Sequence, residues 1–130
     1  MSEPDHVVTK LSALSVADTV SRLTAIVAEK GVKLFAVIDH SGEAEAAGLQ
    51  LRDTKLVIFG NPQAGTPVMQ SAALAALDLP LKVLIWADGD QTKVSYTAPD
   101  ALAARYGLSD ELAQRIAVID VLTDALVAQG

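Results

Sequence analysis

Two short stretches of this chain place apolar side chains on both sides of any strand they form. In KLFAVID, Lys33 to Asp39, the alternation of a strand puts Leu34, Ala36 and Ile38 on one face and Phe35 and Val37 on the other. KLVIF, Lys55 to Phe59, repeats the pattern. Strands that are apolar on both faces need a cover on each, and a single layer of helices covers one. The second cover comes either from another long helix of the same chain or from a second copy meeting it through a two-fold contact, the commonest oligomeric symmetry. Monomers seldom leave apolar patches larger than a few hundred Å² in water, which weighs toward a homodimer.

Local signals place the other elements. A short apolar run, His6 to Lys10, reads as a first strand. Ser15 followed by Asp18 resembles a capping box, with Asp in place of the usual Glu or Gln. Val16, Val20, Leu23 and Val27 then recur at helical spacing until Gly31 supplies the stop. LKVLIWA (Leu81 to Ala87) and KVSYT (Lys93 to Thr97) flank ADGD, whose Asp88-Gly89 pair is a hairpin signal because both positions tolerate positive φ. These two strands are expected to pair antiparallel. Glu43 to Ala47 reads as a short helical turn ended by Gly48. Thr66, a good N-cap, and Pro67, tolerated at a first helical position, open a second helix through about Leu77. Ser109, with Asp110 and Glu111 in the first turn, opens a terminal helix of about five turns. Its apolar residues, among them Ile116, Val118, Ile119 and Val121, spread wider than one stripe of ~100°.

The 130 residues contain no repeat, low-complexity tract or dividing linker and read as one domain, 1–130. Hydrophobic residues make up 51% with only 4% aromatic, an excess of Ala, Val, Leu and Ile that suits helices packed closely on a sheet. The absence of Cys excludes disulfides, thiolate nucleophiles and Cys-based zinc sites. No apolar run reaches the ~18 residues of a membrane span, and MSEPDHVVTK lacks the basic-then-apolar order of a signal peptide. The expectation is a cytoplasmic protein without membrane contact. Ten Lys and Arg, scattered singly, stand against 16 Asp and Glu for a net charge of -6. Affinity for nucleic acid rests on clustered cations that neutralise phosphates, so nucleic acid is not expected as a partner.

IFGNPQAGTP, residues 58–67, poses the sharpest functional question. Gly60 and Gly65 supply the spacing of a nucleotide P-loop, G-x-x-x-x-G-K-[ST], but Thr66 stands where the Lys belongs and Pro67 where the Ser or Thr belongs. Pro67 has neither hydroxyl nor N–H, and Pro62 removes another amide from the loop. Losing the cation and the magnesium ligand argues against ATP or GTP hydrolysis. What survives is a helix N-terminus at Gly65 and Thr66 with unpaired N–H groups suited to a small anion, set against the plainer reading of a turn and a capped helix.

Ile38-Asp39-His40, Gly48-Leu49 with Leu51, Phe59-Gly60-Asn61-Pro62, Gly65-Thr66-Pro67 with Met69, and Asp78-Leu79-Pro80-Leu81-Lys82 with Leu84 and Trp86 resemble the motifs of domain-of-unknown-function family 302. The resemblance runs from about Val16 to Tyr106, and Tyr96 and Tyr106 sit where the family tends to place aromatics. It implies an α+β fold: an antiparallel sheet of about five strands with helices packed on it, β-α-β-β-β-β-α in outline, similar to the TATA-binding-protein-like fold class and usually seen as a homodimer. It implies no activity, catalytic residue or cofactor.

Only His6 and His40 offer imidazole chemistry. His40 follows a strand, and adjacent Asp39 points to the opposite face if that strand continues, so neighbourhood alone makes no Asp–His dyad. A metal site needs several convergent ligands, and none is expected. Lys82, in an apolar strand, either snorkels at an edge or reaches an anion near Gly65. Trp86 and Met69 read as core or interface. The expectation is a non-enzymatic homodimer binding a small ligand, a small anion being one candidate, or a partner in a groove of His40, Asn61, Gly65, Thr66 and Lys82. The alternative is a small hydrolase or isomerase with His40 as general base.

Overall fold

The computed structural model describes residues 6–128. In chain order it comprises β1 (Val7–Ser12), α1 (Val16–Glu29), β2 (Lys33–Asp39), α2 (His40–Ala46), β3 (Thr54–Gly60), α3 (Pro62–Ser71), a 3-10 turn (Ala73–Leu77), β4 (Leu81–Asp88), β5 (Gln91–Thr97), α4 (Pro99–Tyr106), α5 (Asp110–Ile116) and α6 (Val118–Val127). The fold is α+β, with one five-stranded antiparallel sheet in the order β1-β5-β4-β3-β2. Strands β2 to β5 form a meander, and α1 carries the chain from β1 at one edge to β2 at the other.

Side-chain alternation sorts this sheet into two unlike faces. Val57 and Phe59 of β3, Val83 and Ile85 of β4 and Val94 of β5 are fully buried. Against them lie Leu23 and Val27 of α1 and Leu122 and Leu126 of α6, also buried. Ser15 caps α1, its Oγ accepting from the Asp18 N–H at 3.1 Å. Thr19, buried in that helix, is satisfied by donating to the Ser15 carbonyl at 2.7 Å. Polar clamps then hold α6 on the sheet: Lys10 of β1 donates to Thr123 and Asp124, both at 2.7 Å, and the Tyr96 hydroxyl of β5 donates to Asp120 at 2.5 Å.

The opposite face has rows rather than helices over it. Ile38, Leu56, Leu84 and Ser95 stand side by side across β2, β3, β4 and β5; Ala36, Ile58 and Lys82 form the next row, and Thr54, Trp86 and Lys93 a third. Leu56, Ile58, Leu84 and Trp86 are half-buried by one another and take no part in the helix-side core. The Trp86 indole N–H donates to Ser95 Oγ at 3.0 Å, and the Lys93 ammonium sits over its ring.

Four local expectations are revised by packing. A bulge at Phe35 shifts the pairing between Leu34 and Ala36, so Leu34 pairs with Phe59 and shares the helix side with Val37 rather than the open side with Ala36 and Ile38. The second helix starts at Pro62, capped by Asn61, and stops at Ser71, where extended Ala72 leads into the 3-10 turn. Asn61-Pro62 and Thr66-Pro67 are both cap-plus-proline pairs; the first wins and Pro67 is carried inside the helix. The terminal helix is two helices joined at Ala117, because α5 packs on α3 and α4 whereas α6 packs on α1 and β1, and one straight rod does not reach both. A further helix, α4, precedes them and ends at Gly107 in the left-handed region, φ 62°. The β4–β5 loop is Gly89-Asp90, one residue later than the Asp88-Gly89 signal, since Asp88 itself pairs with Gln91.

Candidate functional site

The start of α3 decides what this site offers. Asn61 Oδ1 accepts from the Gln63 N–H at 2.9 Å, and the Asn61 carbonyl accepts from the Ala64 and Gly65 N–H groups at 2.9 and 2.8 Å. Pro62 has no N–H. The first-turn donors that would hold an anion at Gly65 and Thr66 are therefore already used, and Thr66 lies exposed in the second turn. Gly65 contributes space instead: a Cβ built there meets only Met69 Cε, at 4.0 Å.

That space is part of a cavity of about 270 Å³ bounded by the starts of β2, α3 and β4 and the junction of α5 with α6. Its walls are Phe35, Phe59, Met69, Leu79 and Ile116, with Asn61, Gly65 and Arg115 among the residues at its border. The bulge in β2 brings Phe35 over Gly60, where its ring lies 3.6 Å from the position a Cβ would take. Bare glycine at position 60 also leaves room for Pro80, 3.3 Å from that position. Arg115 stands in the last turn of α5; Nη2 approaches Glu111 Oε1 only to 3.9 Å, and Nε, shielded from water, has no hydrogen-bond partner among the described residues.

Of the five residues expected to form one groove, the structure brings together Asn61 and Gly65. His40 begins α2 beyond Asp39, whereas the cavity lies beside Lys33 and Gly60; six residues of β2 separate these ends, roughly 20 Å at the rise of a strand. Lys82 faces the open side beside Ile58, and its ammonium donates to the Pro80 carbonyl at 3.0 Å. Thr66 is not on the cavity wall. Arg115 and Phe35 went unnoticed because no local pattern marks them: one depends on where a helix ends, the other on a bulge.

A polar cluster surrounds the other end of β2. The Lys55 ammonium donates to Asp39 Oδ1 at 2.8 Å and Asp53 Oδ1 at 2.9 Å, while Ser41 Oγ and the Gly42 N–H also donate to Asp39, both at 2.9 Å. Lys55 first, then the Gly42 amide and Ser41, hold the Asp39 carboxyl down at about 2, against an ordinary 3.8. Asp39 thus closes the β2–α2 corner and does not orient His40. Near the cavity, Asp78 accepts from Tyr106 and from Arg105 (2.9 Å), and the Tyr106 hydroxyl, with the neighbouring Arg105, lowers its pKa. Among the described residues no group of three or more His, Asp or Glu is arranged to hold a metal ion.

The sheet, its one-sided helical layer and an apolar cavity with a cation at its border define a small α+β module with a ligand-sized pocket. The family described as "Domain of unknown function DUF302" matches residues 7–126, and the chain belongs to it. A solved structure described as an uncharacterized conserved protein DUF302 from Bacillus stearothermophilus has the same fold, with a TM-score of 0.81 and 18% identity over 96% of this chain and 98% of that one. Among curated proteins, "Fluoride-specific ion channel FluC 1" of Brucella suis is 40% identical over 126 residues, 95% of this chain and 50% of that protein. "Fluoride-specific ion channel FluC 2" of Brucella melitensis is likewise 40% identical, over 47% of its length. The chain spans about half the length of the curated relatives it matches.

Two outcomes follow from this geometry. Gly65→Ala raises stability by about 0.5–1 kcal/mol in chemical denaturation, because a helical glycine becomes alanine with no strain and no clash. The depressed Asp39 carboxyl makes the unfolded chain the better proton acceptor, so its contribution is present above about pH 4 and is lost as pH falls toward 2. Denaturation midpoints measured across that window fall in the wild-type protein, and Asp39→Asn flattens the fall.

Proposed function

We propose that this chain is a non-enzymatic, homodimeric module of the cytoplasm that binds a small ligand in the cavity beside Asn61 and Gly65. The observation that carries the reading is the cavity itself: concave, mostly apolar, with a few polar groups at its border, as small-molecule sites are. The general-base alternative loses support because the carboxylate next to His40 is committed to Lys55, Ser41 and Gly42. A base without an orienting partner is a poor start for hydrolysis or isomerisation.

The second copy covers the open sheet face. Ile38, Leu56, Ile58, Leu84 and Trp86 form its apolar centre, and Lys82, Lys93 and Thr9 lie around it. An apolar centre with a polar rim is the anatomy of an interface.

A second reading is favoured by the printed names of the Brucella relatives: a module of this kind serves an ion channel, supplying a binding or regulatory part. No helix of the described residues is long and apolar enough to cross a membrane, so the contribution lies outside a helical pore.

Light scattering at micromolar concentration should give twice the 13.6 kDa of one chain, and Leu84→Lys should give one chain that still unfolds cooperatively. A folded wild-type protein of single mass overturns the dimer. Thermal melting in sodium fluoride against matched sodium chloride addresses the second reading: a fluoride-dependent rise favours it, and superposed curves count against it.

A further inference from the structure

Resting on the small-ligand reading above, we infer that the cavity takes a small apolar carboxylate, with its hydrocarbon part between Phe59, Met69 and Ile116 and its carboxylate on Arg115. Size is the first argument. An apolar cavity of about 150 Å³ holds one benzene, so about 270 Å³ suits a ligand of roughly ten non-hydrogen atoms.

Charge is the second. Among the described residues Arg115 is the single charged one lining the cavity, with no Asp or Glu beside it there. Its ion pair with Glu111 is 3.9 Å long, and the Glu111 side chain is 84% exposed, so water screens that attraction. The Arg115 side chain is 38% exposed and its Nε–H is walled off by protein, which leaves the Nη groups as the donors a ligand could reach. A guanidinium without a close partner is met best by an acceptor that is itself charged. Asn61 adds selectivity. Its Oδ1 accepts from the Gln63 N–H, which orients the amide and leaves the side-chain nitrogen as a second donor among the lining residues. A neutral amide of the same shape fills the apolar part equally and accepts with one oxygen where the carboxylate offers two.

Met69 supplies the reporter, since Met1 is the only other methionine. Protein labelled with ¹³C at the methionine methyls is titrated with 3-phenylpropanoate, and separately with 3-phenylpropanamide, at pH 7. The expected result is a saturable shift of the Met69 methyl with the acid, and binding of the amide weaker by roughly ten- to a hundred-fold, the difference a charged hydrogen bond makes. Arg115→Met keeps the apolar stem and should bring acid and amide to equal affinity, while Gly65→Leu should abolish both titrations. Equal affinity of acid and amide for the wild-type protein overturns the carboxylate inference and leaves the small-ligand reading standing. A Met69 methyl unmoved by either compound at millimolar concentration overturns both.

Discussion

The side-chain alternation of one antiparallel sheet governs everything else in this molecule. Five strands present two faces, and the helices that pack on the sheet, α1 and α6, occupy the face of Val57, Val83, Ile85 and Val94. Burying that face stabilises the domain at roughly 25 cal/mol per Å² of apolar surface removed from water. The same alternation necessarily sends Leu56, Ile58, Leu84 and Trp86 the other way. Strands that were apolar on only one side would have left the second face polar; these leave it with an apolar centre.

The helical layer is held in place by polar contacts at one end and left incomplete at the other. Lys10, Tyr96, Asp120, Thr123 and Asp124 tie α6 to β1 and β5, and Arg22 of α1 donates to the carbonyls of Ala125 and Leu126. With α6 so fixed, the break at Ala117 turns α5 toward α3 and carries Arg115 and Ile116 to the cavity border. Two glycines keep that cavity from filling: Gly60, crowded by Pro80 and Phe35, and Gly65, open toward Met69. The pocket is thus a consequence of where the helical layer bends away from the sheet.

Function divides along the same line. The pocket end of β2 has apolar walls and a cation, which favours binding by shape and charge; the opposite end has ion pairs that use up the acids beside His40. The two faces of the sheet differ in the same way, with the cavity on the helix side and the apolar rows on the other.

Much of the architecture was legible in the residues. Ser15 and Gly31 bracket α1, the Asp88-Gly89-Asp90 corner announces the β4–β5 hairpin, and the composition of β2 and β3 shows that both sheet faces are apolar. These are local signals, set by backbone sterics, caps and the two-residue period of a strand, and a sequence carries them intact. What only the tertiary structure decided is which of two equivalent cap-plus-proline pairs starts α3, where the bulge falls in β2, and that the last helix breaks at Ala117. Each of those choices is settled by contacts between segments far apart in the chain. The same choices remove Gly65 and Thr66 from anion binding by their amides, set His40 and Lys82 apart from the pocket, and bring Arg115 into it. A side chain's type is written in the sequence, but its partners are chosen by the packing of the whole.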